Sequence, residues 1–430
     1  MYRFLYKNLV DWKQKPDRKP LVLFGARQTG KTWLLKEFGK KEYKNTAYIN
    51  CENNPVLSGA FEDYDTGRLI RVFSSISNET ISKDNTLIIL DEIQEIPQAL
   101  TALKYFCEQA PEYHIAVAGS LLGISVHRGS GYPVGKTDEM TLFPMSFMEF
   151  ITAGNYSQLA EAVKEPRWKE LSLFASQFKE LLRQYYFVGG MPEAVSCYYR
   201  TQNLKKTREI QERIINDYEM DFSKHIPANI LPKVRLVYQS IPGQLAKENK
   251  KFIYGAVKKG GRAKEFEDAI QWLTDAGLIY RVSRLSKIAM PVKYYEQYDV
   301  FKLFLSDLGL LGAMSRVPSS KTLIGDSIFE EYKGAFTEQY VAQQIISEGI
   351  VPYYYTNENS TMEIDFVIQK EQVYPIEVKA EENLRSKSLR SVADADNKLT
   401  CWRFSMSGYR EQGWMINIPL YLVQEWIHEI

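Results

Sequence analysis

The sequence predicts an α/β protein of several domains, and three short segments carry this prediction. A glycine-rich segment at residues 25–32 lies between an apolar strand and a helix, and a second apolar strand ends in the adjacent acids Asp91 and Glu92. Near the C-terminus, a helix precedes two strands that carry acidic residues and end in YPIEVKA, residues 374–380. A chain of 430 residues is too long for one ordinary hydrophobic core. We therefore expect these segments to lie in different domains.

The composition narrows the classes of site. The formal net charge of +1 gives no global basic field, so any nucleic-acid surface must be local. The four cysteines are far apart and include no CxxC pair, which argues against a zinc site and a disulfide framework. No apolar run approaches the roughly 20 residues of a membrane span, and the first residues lack the apolar core of a signal peptide. We expect a cytoplasmic protein without a membrane partner.

The glycine-rich segment, GARQTGKT, fits the phosphate-binding pattern GxxxxGK[ST]. Its glycines let backbone N–H groups surround phosphate oxygens, and the following helix adds the positive end of its dipole. In this pattern Lys31 reaches the β- and γ-phosphates, and Thr32 offers its hydroxyl to Mg²⁺. The flanking strand and helix argue against a chance glycine-rich turn. The predicted ATP-binding residues here are Gly25, Ala26, Arg27, Gln28, Thr29, Gly30, Lys31, Thr32 and Trp33.

Two acids after the next apolar strand complete a predicted hydrolytic site. The strand at residues 87–90 places Asp91 to hold Mg²⁺ through water and Glu92 to polarise the attacking water. The alternative, an acid pair that caps a helix, is disfavoured by the glycine-rich segment upstream. A third strand, residues 114–120, ends in Ser120, which we predict to contact the γ-phosphate or to orient water.

The middle of the chain predicts a helical connector and then a winged-helix pattern. Residues 168–226 have the helical period and are interrupted by Gly189-Gly190. Residues 229–298 indicate three short helices followed by a β-hairpin, and basic side chains precede the third helix, where a helix-turn-helix meets DNA. Because the same helix also carries acids, DNA contact and a purely structural role both stay open. The basic residues are Lys258, Lys259, Arg262 and Lys264, and the acids are Glu265, Glu267 and Asp268.

The last hundred residues predict a metal-dependent phosphodiesterase site. A helix carries Glu338, and two strands joined by a tight turn carry Asp365 and the segment YPIEVKA. Strand alternation puts Glu377 and Lys379 on one face, and the hairpin brings Asp365 next to Glu377. The two carboxylates could share Mg²⁺ or Mn²⁺, with Glu338 as a further ligand and Lys379 stabilising developing charge. The alternative is a degenerate domain that binds DNA or mediates oligomerisation.

Four blocks, GARQTGKT, LDEIQEIP, AGSLLG and LFPMSFMEF, occur in an order and spacing similar to those of a known family. With them, the chain resembles a prokaryotic group of AAA-type ATPases that join a P-loop NTPase domain, a helical lid, a winged helix and a restriction-endonuclease-like domain. The resemblance implies that Ser120 is a sensor residue. It also implies that Glu338, Asp365, Glu377 and Lys379 occupy the four signature positions of a PD-(D/E)xK nuclease fold.

One position departs from this family pattern. The group often has Gly-Arg before the LFPMSFMEF block, whereas this chain has Gly135-Lys136. Arg128 lies nearby and is either a substitute or a solvated loop residue. The source of any arginine finger therefore stays open.

These observations predict a P-loop ATPase domain at residues 1–155, a helical lid or connector at 156–227, a winged helix at 228–320 and a nuclease-like domain at 321–430. The predicted function is Mg²⁺-dependent binding and hydrolysis of ATP, coupled to a DNA-binding, nuclease-like domain. The alternative is an ATP-gated switch or scaffold that binds DNA or a protein and has no nuclease activity. Expected partners are ATP, ADP and DNA, with a protein partner or further copies of the chain as additional options.

Overall fold

The computed structural model describes residues 1–430 except 53, 120–131, 164–167, 169, 248–249, 317–329, 358, 360, 381–385 and 397–398. The described chain divides into two compact units: an N-terminal unit, Met1–Phe143 with Asp275–Leu278, and a C-terminal unit, Pro144–Thr274 with Ile279–Ile430. The finer division into four domains stays a prediction. Within the described ranges, no helix combines the length and apolar character needed to cross a bilayer.

The N-terminal unit contains a five-stranded sheet in the order β2-β3-β4-β1-β5, and all of its strand pairs are parallel. Its strands are β1 (Leu21–Phe24), β2 (Asn45–Asn50), β3 (Thr86–Asp91), β4 (His114–Ala118) and β5 (Asp138–Thr141). Its helices are α1 (Leu5–Gln14), α2 (Lys31–Glu42), α3 (Pro55–Ala60), α4 (Thr66–Ser77) and α5 (Pro97–Gln109). The parallel order brings the carboxyl ends of β1, β3 and β4 to one edge, where ligands bind in open α/β sheets.

Both faces of this sheet are covered, and the sequence of the strands shows why. Every residue of β1 and β3 is buried, as expected for parallel strands between two layers of helices. Alternate side chains enter different cores: Leu21 and Leu23 pack with α1 and α2, whereas Val22 and Phe24 pack with residues of α4 and α5. This two-sided packing fixes the ends of β1 and β3, from which the candidate nucleotide site is built.

The C-terminal unit begins with helices and ends with a mixed sheet. Its helices are α6 (Phe147–Ala153), α7 (Ser157–Ala162), α8 (Ala175–Val188), α9 (Pro192–Thr201), α10 (Leu204–His225), α11 (Leu231–Leu245), α12 (Tyr254–Val257), α13 (Ala263–Asp275), α14 (Leu308–Met314), α15 (Glu330–Ser347), α16 (Lys387–Ala395) and α17 (Val423–Glu429). Its strands are β6 (Ile279–Leu285), β7 (Glu296–Leu305), β8 (Tyr353–Thr356), β9 (Glu363–Gln369), β10 (Val373–Val378), β11 (Cys401–Ser405), β12 (Arg410–Glu411) and β13 (Met415–Pro419). The sheet order is β12-β13-β11-β10-β9-β8-β6-β7.

The β6–β7 hairpin is part of this large sheet. It follows α11, α12 and α13 in the order expected of a winged helix, and its strands pair antiparallel. However, β6 also pairs in parallel with β8, through Arg284 with Tyr354 and Leu285 with Tyr355. Instead of projecting as a free wing, the hairpin extends the sheet that contains β9 and β10. The winged-helix assignment is therefore not established by this arrangement.

Buried glutamines fix helix α15 within the C-terminal unit. Gln339 both accepts a hydrogen bond from Leu305 N at 2.9 Å and donates one to Leu305 O at 2.6 Å. Gln343 accepts from Leu308 N at 3.0 Å, and Gln344 accepts from Phe147 N at 3.0 Å. These bonds satisfy buried backbone groups at the end of β7 and the starts of α14 and α6. They also fix the position of Glu338, the residue before Gln339 on α15.

Candidate functional site

The glycine-rich loop joins β1 to α2 and is held by its own hydrogen bonds. Gly30 has φ of 93°, a left-handed conformation that favours glycine. A Cβ on Gly25 would lie 2.4 Å from Leu142 O, so a side chain there would collide with backbone. The hydroxyl of buried Thr29 donates to Ala26 O at 2.9 Å, and Arg3 donates to Thr29 O at 2.8 Å. The loop is therefore shaped before any ligand binds.

Lys31 lies over this loop and contacts backbone carbonyl oxygens. Its Nζ donates to Gly25 O at 2.9 Å and to Ala26 O at 2.8 Å. Burial lowers the pKa of Lys31 to about 8, while Glu92 and Asp91 act in the opposite direction. Carbonyl dipoles hold an ammonium less strongly than ionised oxygens do, so this lysine can exchange them for phosphate oxygens.

The structure brings Thr32 and Asp91, from two separate sequence motifs, into contact. The Thr32 hydroxyl donates to Asp91 Oδ2 at 2.8 Å, although 59 residues separate them. The same oxygen accepts a hydrogen bond from Tyr48 OH at 3.0 Å. A hydroxyl and a carboxylate are the hard oxygen donors that Mg²⁺ prefers, so these residues fit that ion. Thr32 and Asp91 would hold it, directly or through water.

Glu92 follows β3 and is oriented by a neighbouring amide. Its φ of 51° is left-handed, and its N–H donates to Asp91 Oδ1 at 3.1 Å. The side-chain amide of buried Gln94 donates to Glu92 Oε2. Sequence reasoning identified neither Gln94 nor Tyr48. Gln94 is visible in LDEIQEIP, but the role of Tyr48 depends on β2 lying beside β3.

The remaining predicted nucleotide-site residues are less enclosed or lie outside the described residues. Arg27 is half-buried, Gln28 is exposed, and Trp33 is 45% exposed. Ser120 and Arg128 fall among residues 120–131, which the structure does not describe. Lys136, at the position where the resembling group often has arginine, forms an ion pair with Glu108 at 2.9 Å.

In the C-terminal unit, the hairpin of β9 and β10 sets the backbone positions of the predicted acids Asp365 and Glu377 opposite each other. Ile376 pairs with Phe366, which sets Glu377 opposite Asp365 one position further along. Asp365 Oδ2 accepts a hydrogen bond from Val378 N at 2.7 Å. Oε1 of the buried Glu377 forms an ion pair with Lys379 at 2.9 Å. Within the described part of the chain, Glu377 Oε2 is buried without a hydrogen-bond partner.

A second set of charges, largely missed by sequence reasoning, lies beside this hairpin. Carboxylate oxygens of Glu338, Glu363 and Asp365 lie within 4.8 Å of one another. Nζ of the fully buried Lys302 is 2.5 Å from Glu363 Oε1 and 3.4 Å from Glu338 Oε2. Lys250 forms a second ion pair with Glu338. We call these five residues the carboxylate–lysine cluster.

The electrostatics of the cluster are set by burial and by these ion pairs. Burial, and then the nearby Glu338, raise the pKa of Asp365 to about 7. Burial favours the neutral form of Glu338, but Lys250 and Lys302 outweigh it and lower the pKa of Glu338. Burial also favours the neutral form of Lys302, but Glu338 and Glu363 outweigh it and raise the pKa of Lys302. The spacing of the carboxylates suits a divalent cation, but ammonium groups already lie among them. The residues as arranged therefore fit such an ion poorly, and Asp365 with Glu377 as its ligands stays a prediction.

Of the basic residues between positions 229 and 298, Lys258 and, on β6, Arg281 form ion pairs, and three others are exposed around the start of α13. Lys258 forms an ion pair with Glu265 at 2.9 Å. The guanidinium of Arg281 lies 3.1 Å from Glu267 and 3.8 Å from the ring centroid of Phe301. Lys259, Arg262 and Lys264 are exposed around the start of α13.

Comparison with family models supports the interpretation of the N-terminal part. Residues 17–151 match a model described as an AAA domain. The expectation of an AAA-type P-loop domain is thereby confirmed for this part of the chain. Residues 179–321 and 333–421 match two domains of unknown function, DUF8612 and DUF4143, which do not confirm a winged helix or a nuclease-like domain. Among curated proteins, nothing matches the chain significantly.

Solved structures give broad but low similarity. A Walker-type ATPase of Pyrococcus abyssi is 13% identical over 72% of this chain and 94% of its own, with a TM-score of 0.43. The Orc1 protein of Aeropyrum pernix, in complex with DNA, is 14% identical over 74% and 91%, with a TM-score of 0.28. The RuvB Holliday junction branch migration motor of Thermotoga maritima is 13% identical over 66% and 90%, with a TM-score of 0.26. Scores this low do not by themselves establish the fold of this chain.

Proposed function

We propose that the N-terminal unit binds ATP with Mg²⁺ and hydrolyses it. The observation that carries the proposal is the 2.8 Å hydrogen bond between Thr32 of the glycine-rich loop and Asp91 at the end of β3. It puts the metal-binding donors beside a loop shaped for phosphate. Bound Mg²⁺ would neutralise charge on the β- and γ-phosphates. Lys31 would turn from Gly25 and Ala26 to the phosphates, and Ser120 would contact the γ-phosphate.

Glu92 is the proposed base. Its carboxylate would orient a water molecule and accept its proton as the water oxygen attacks the γ-phosphorus and the bond to the β-phosphate oxygen breaks. Gln94 donates to one carboxylate oxygen and leaves the other available to the water. Asp91 accepts from Tyr48 and Thr32 and serves the metal. The adjacent acids thus have separate tasks.

Substitution of Glu92 tests this assignment. Glu92→Gln keeps the size of the side chain and removes the base, so we expect ATP hydrolysis to fall by roughly 10²–10⁴ with ATP binding retained. The matched control is Glu95→Gln, an exposed acid three residues away, which should hydrolyse ATP at the original rate. Unchanged hydrolysis in purified Glu92→Gln protein would contradict the proposed role.

A second candidate function is DNA binding by the C-terminal unit. The exposed residues Lys259, Arg262 and Lys264 support it, because clustered cations can contact phosphates. We expect a triple glutamine variant to lose low-salt DNA affinity, measured by fluorescence anisotropy with single- and double-stranded oligonucleotides. DNA-stimulated ATP turnover would support coupling between the two functions. If no DNA binds at low salt, the alternative of an ATP-gated switch or scaffold for a protein is favoured.

A further inference from the structure

The carboxylate–lysine cluster contains its own cations. Lys302 lies on β7, Glu338 on α15, and Glu363 and Asp365 on β9. Lys302 is fully buried and contacts two carboxylates, and Lys250 adds a second ammonium at Glu338. Three carboxylates therefore face two ammonium groups inside the unit.

A divalent ion at the same place would conflict with these contacts. Mg²⁺ and Mn²⁺ need carboxylate oxygens about 2 Å away, and those of Glu338 and Glu363 are engaged by ammonium groups. Entry of the metal would displace Lys302 from its acids. A buried ammonium without its partners is strongly unfavourable.

We propose that Lys302 occupies the cation position of this cluster, so that the C-terminal unit binds no divalent metal until Lys302 is removed. The chain then carries a latent metal site formed by Glu338, Glu363 and Asp365. Metal-dependent cleavage of DNA at these three carboxylates is excluded in the same step, whereas DNA binding by the unit is not. The proposal is independent of ATP hydrolysis in the N-terminal unit.

Binding of Mn²⁺ to the full chain, measured by electron paramagnetic resonance without nucleotide, tests this. An Asp91→Asn background removes the carboxylate of the two candidate metal ligands, Thr32 and Asp91, in the nucleotide site. We expect the Asp91→Asn protein to bind no Mn²⁺. Addition of Lys302→Met should create one Mn²⁺ site per chain, and further addition of Glu363→Gln should abolish that site. Lys370→Met is the control, because Lys370 donates to Ile427 O at 2.9 Å and is absent from the cluster.

Two results would overturn the proposal. One is Mn²⁺ bound in the Asp91→Asn background and lost on Asp365→Asn or Glu377→Gln, which would show an open nuclease-type site. The other is folded Lys302→Met protein that gains no Mn²⁺.

Thermal unfolding of the same variants tests Mn²⁺ binding independently. A metal that binds only the folded state raises the midpoint of unfolding. We expect Mn²⁺ to raise that midpoint in Lys302→Met and to leave it unchanged in the Lys302→Met/Glu363→Gln pair. If Lys302→Met does not fold alone, refolding in Mn²⁺ should restore it, and failure of Mn²⁺ to do so would contradict the proposal.

Discussion

Two lysines, one in each compact unit, are held by oxygen atoms of different kinds. Lys31 contacts the backbone carbonyls of Gly25 and Ala26, and burial lowers its pKa to about 8. Lys302 contacts the carboxylates of Glu363 and Glu338, which raise its pKa despite burial. The first lysine gains from an incoming anion, whereas the second already has its anions. A lysine side chain can thus bind an anionic ligand in one unit, whereas in the other unit it is already neutralised by carboxylates of the fold.

The difference follows from where the acids lie. Asp91 and Glu92 stand near Lys31 but are engaged with Thr32, Tyr48 and Gln94. At Lys302, the acids come from α15 and β9 and point at the ammonium itself. A buried lysine alone therefore does not identify a binding site, and its partners must be known.

The largest expected effect is on stability. Lys302→Met leaves the partly buried Glu363 without this counter-ion and leaves the buried Glu338 with Lys250, and should lower the free energy of unfolding by about 3–5 kcal/mol. Lys31→Met removes an ammonium whose hydrogen bonds, among the described residues, go to carbonyl oxygens. It should change the free energy of unfolding by less than about 1 kcal/mol while abolishing ATP binding. Urea unfolding measures both variants, with hydrogen exchange to assign the change to a unit. An equal loss of unfolding free energy in the two variants would contradict the contrast between Lys31 and Lys302.

The next effect is the pH dependence of ATP binding. Because the pKa of free Lys31 is about 8, raising the pH through 8 removes the charge that phosphate favours. We expect ATP affinity to fall by up to roughly tenfold between pH 7 and pH 9, since each pH unit above the pKa costs about 1.4 kcal/mol. Calorimetry in buffers of different ionisation enthalpy should detect proton uptake near pH 8. Binding without proton uptake would show that the Lys31 pKa is not lowered.

The smallest effect concerns Tyr48, which supports Asp91. Tyr48→Phe removes the hydrogen bond to Asp91 Oδ2, worth about 1 kcal/mol, and should lower kcat about three- to tenfold with little change in KM. Tyr64→Phe is a matched control, because Tyr64 stacks on Tyr105 within the same unit. Identical kcat in both variants would show that the Tyr48 hydroxyl does not contribute to ATP hydrolysis.

The sequence predicts most residues of the nucleotide site but only part of the carboxylate–lysine cluster, because the two sites depend differently on long-range pairing. The loop from Gly25 to Thr32 is continuous, so its pattern predicts its chemistry, and Asp91 follows from a recognisable strand. The hairpin with Asp365 and Glu377 is also local. Lys302 reaches Glu363 only because β6 pairs with β8, and it meets Glu338 only because glutamines fix α15. Such long-range pairings leave no pattern in a single sequence.

Mn²⁺ binding by the unmodified chain, with and without ADP, tests the central contrast most directly. We predict that nucleotide-free protein binds no Mn²⁺ tightly and that ADP brings one Mn²⁺ to the nucleotide site. Bound Mn²⁺ in the absence of nucleotide, removed by Asp365→Asn, would show that the carboxylates hold metal and that Lys302 does not take its place.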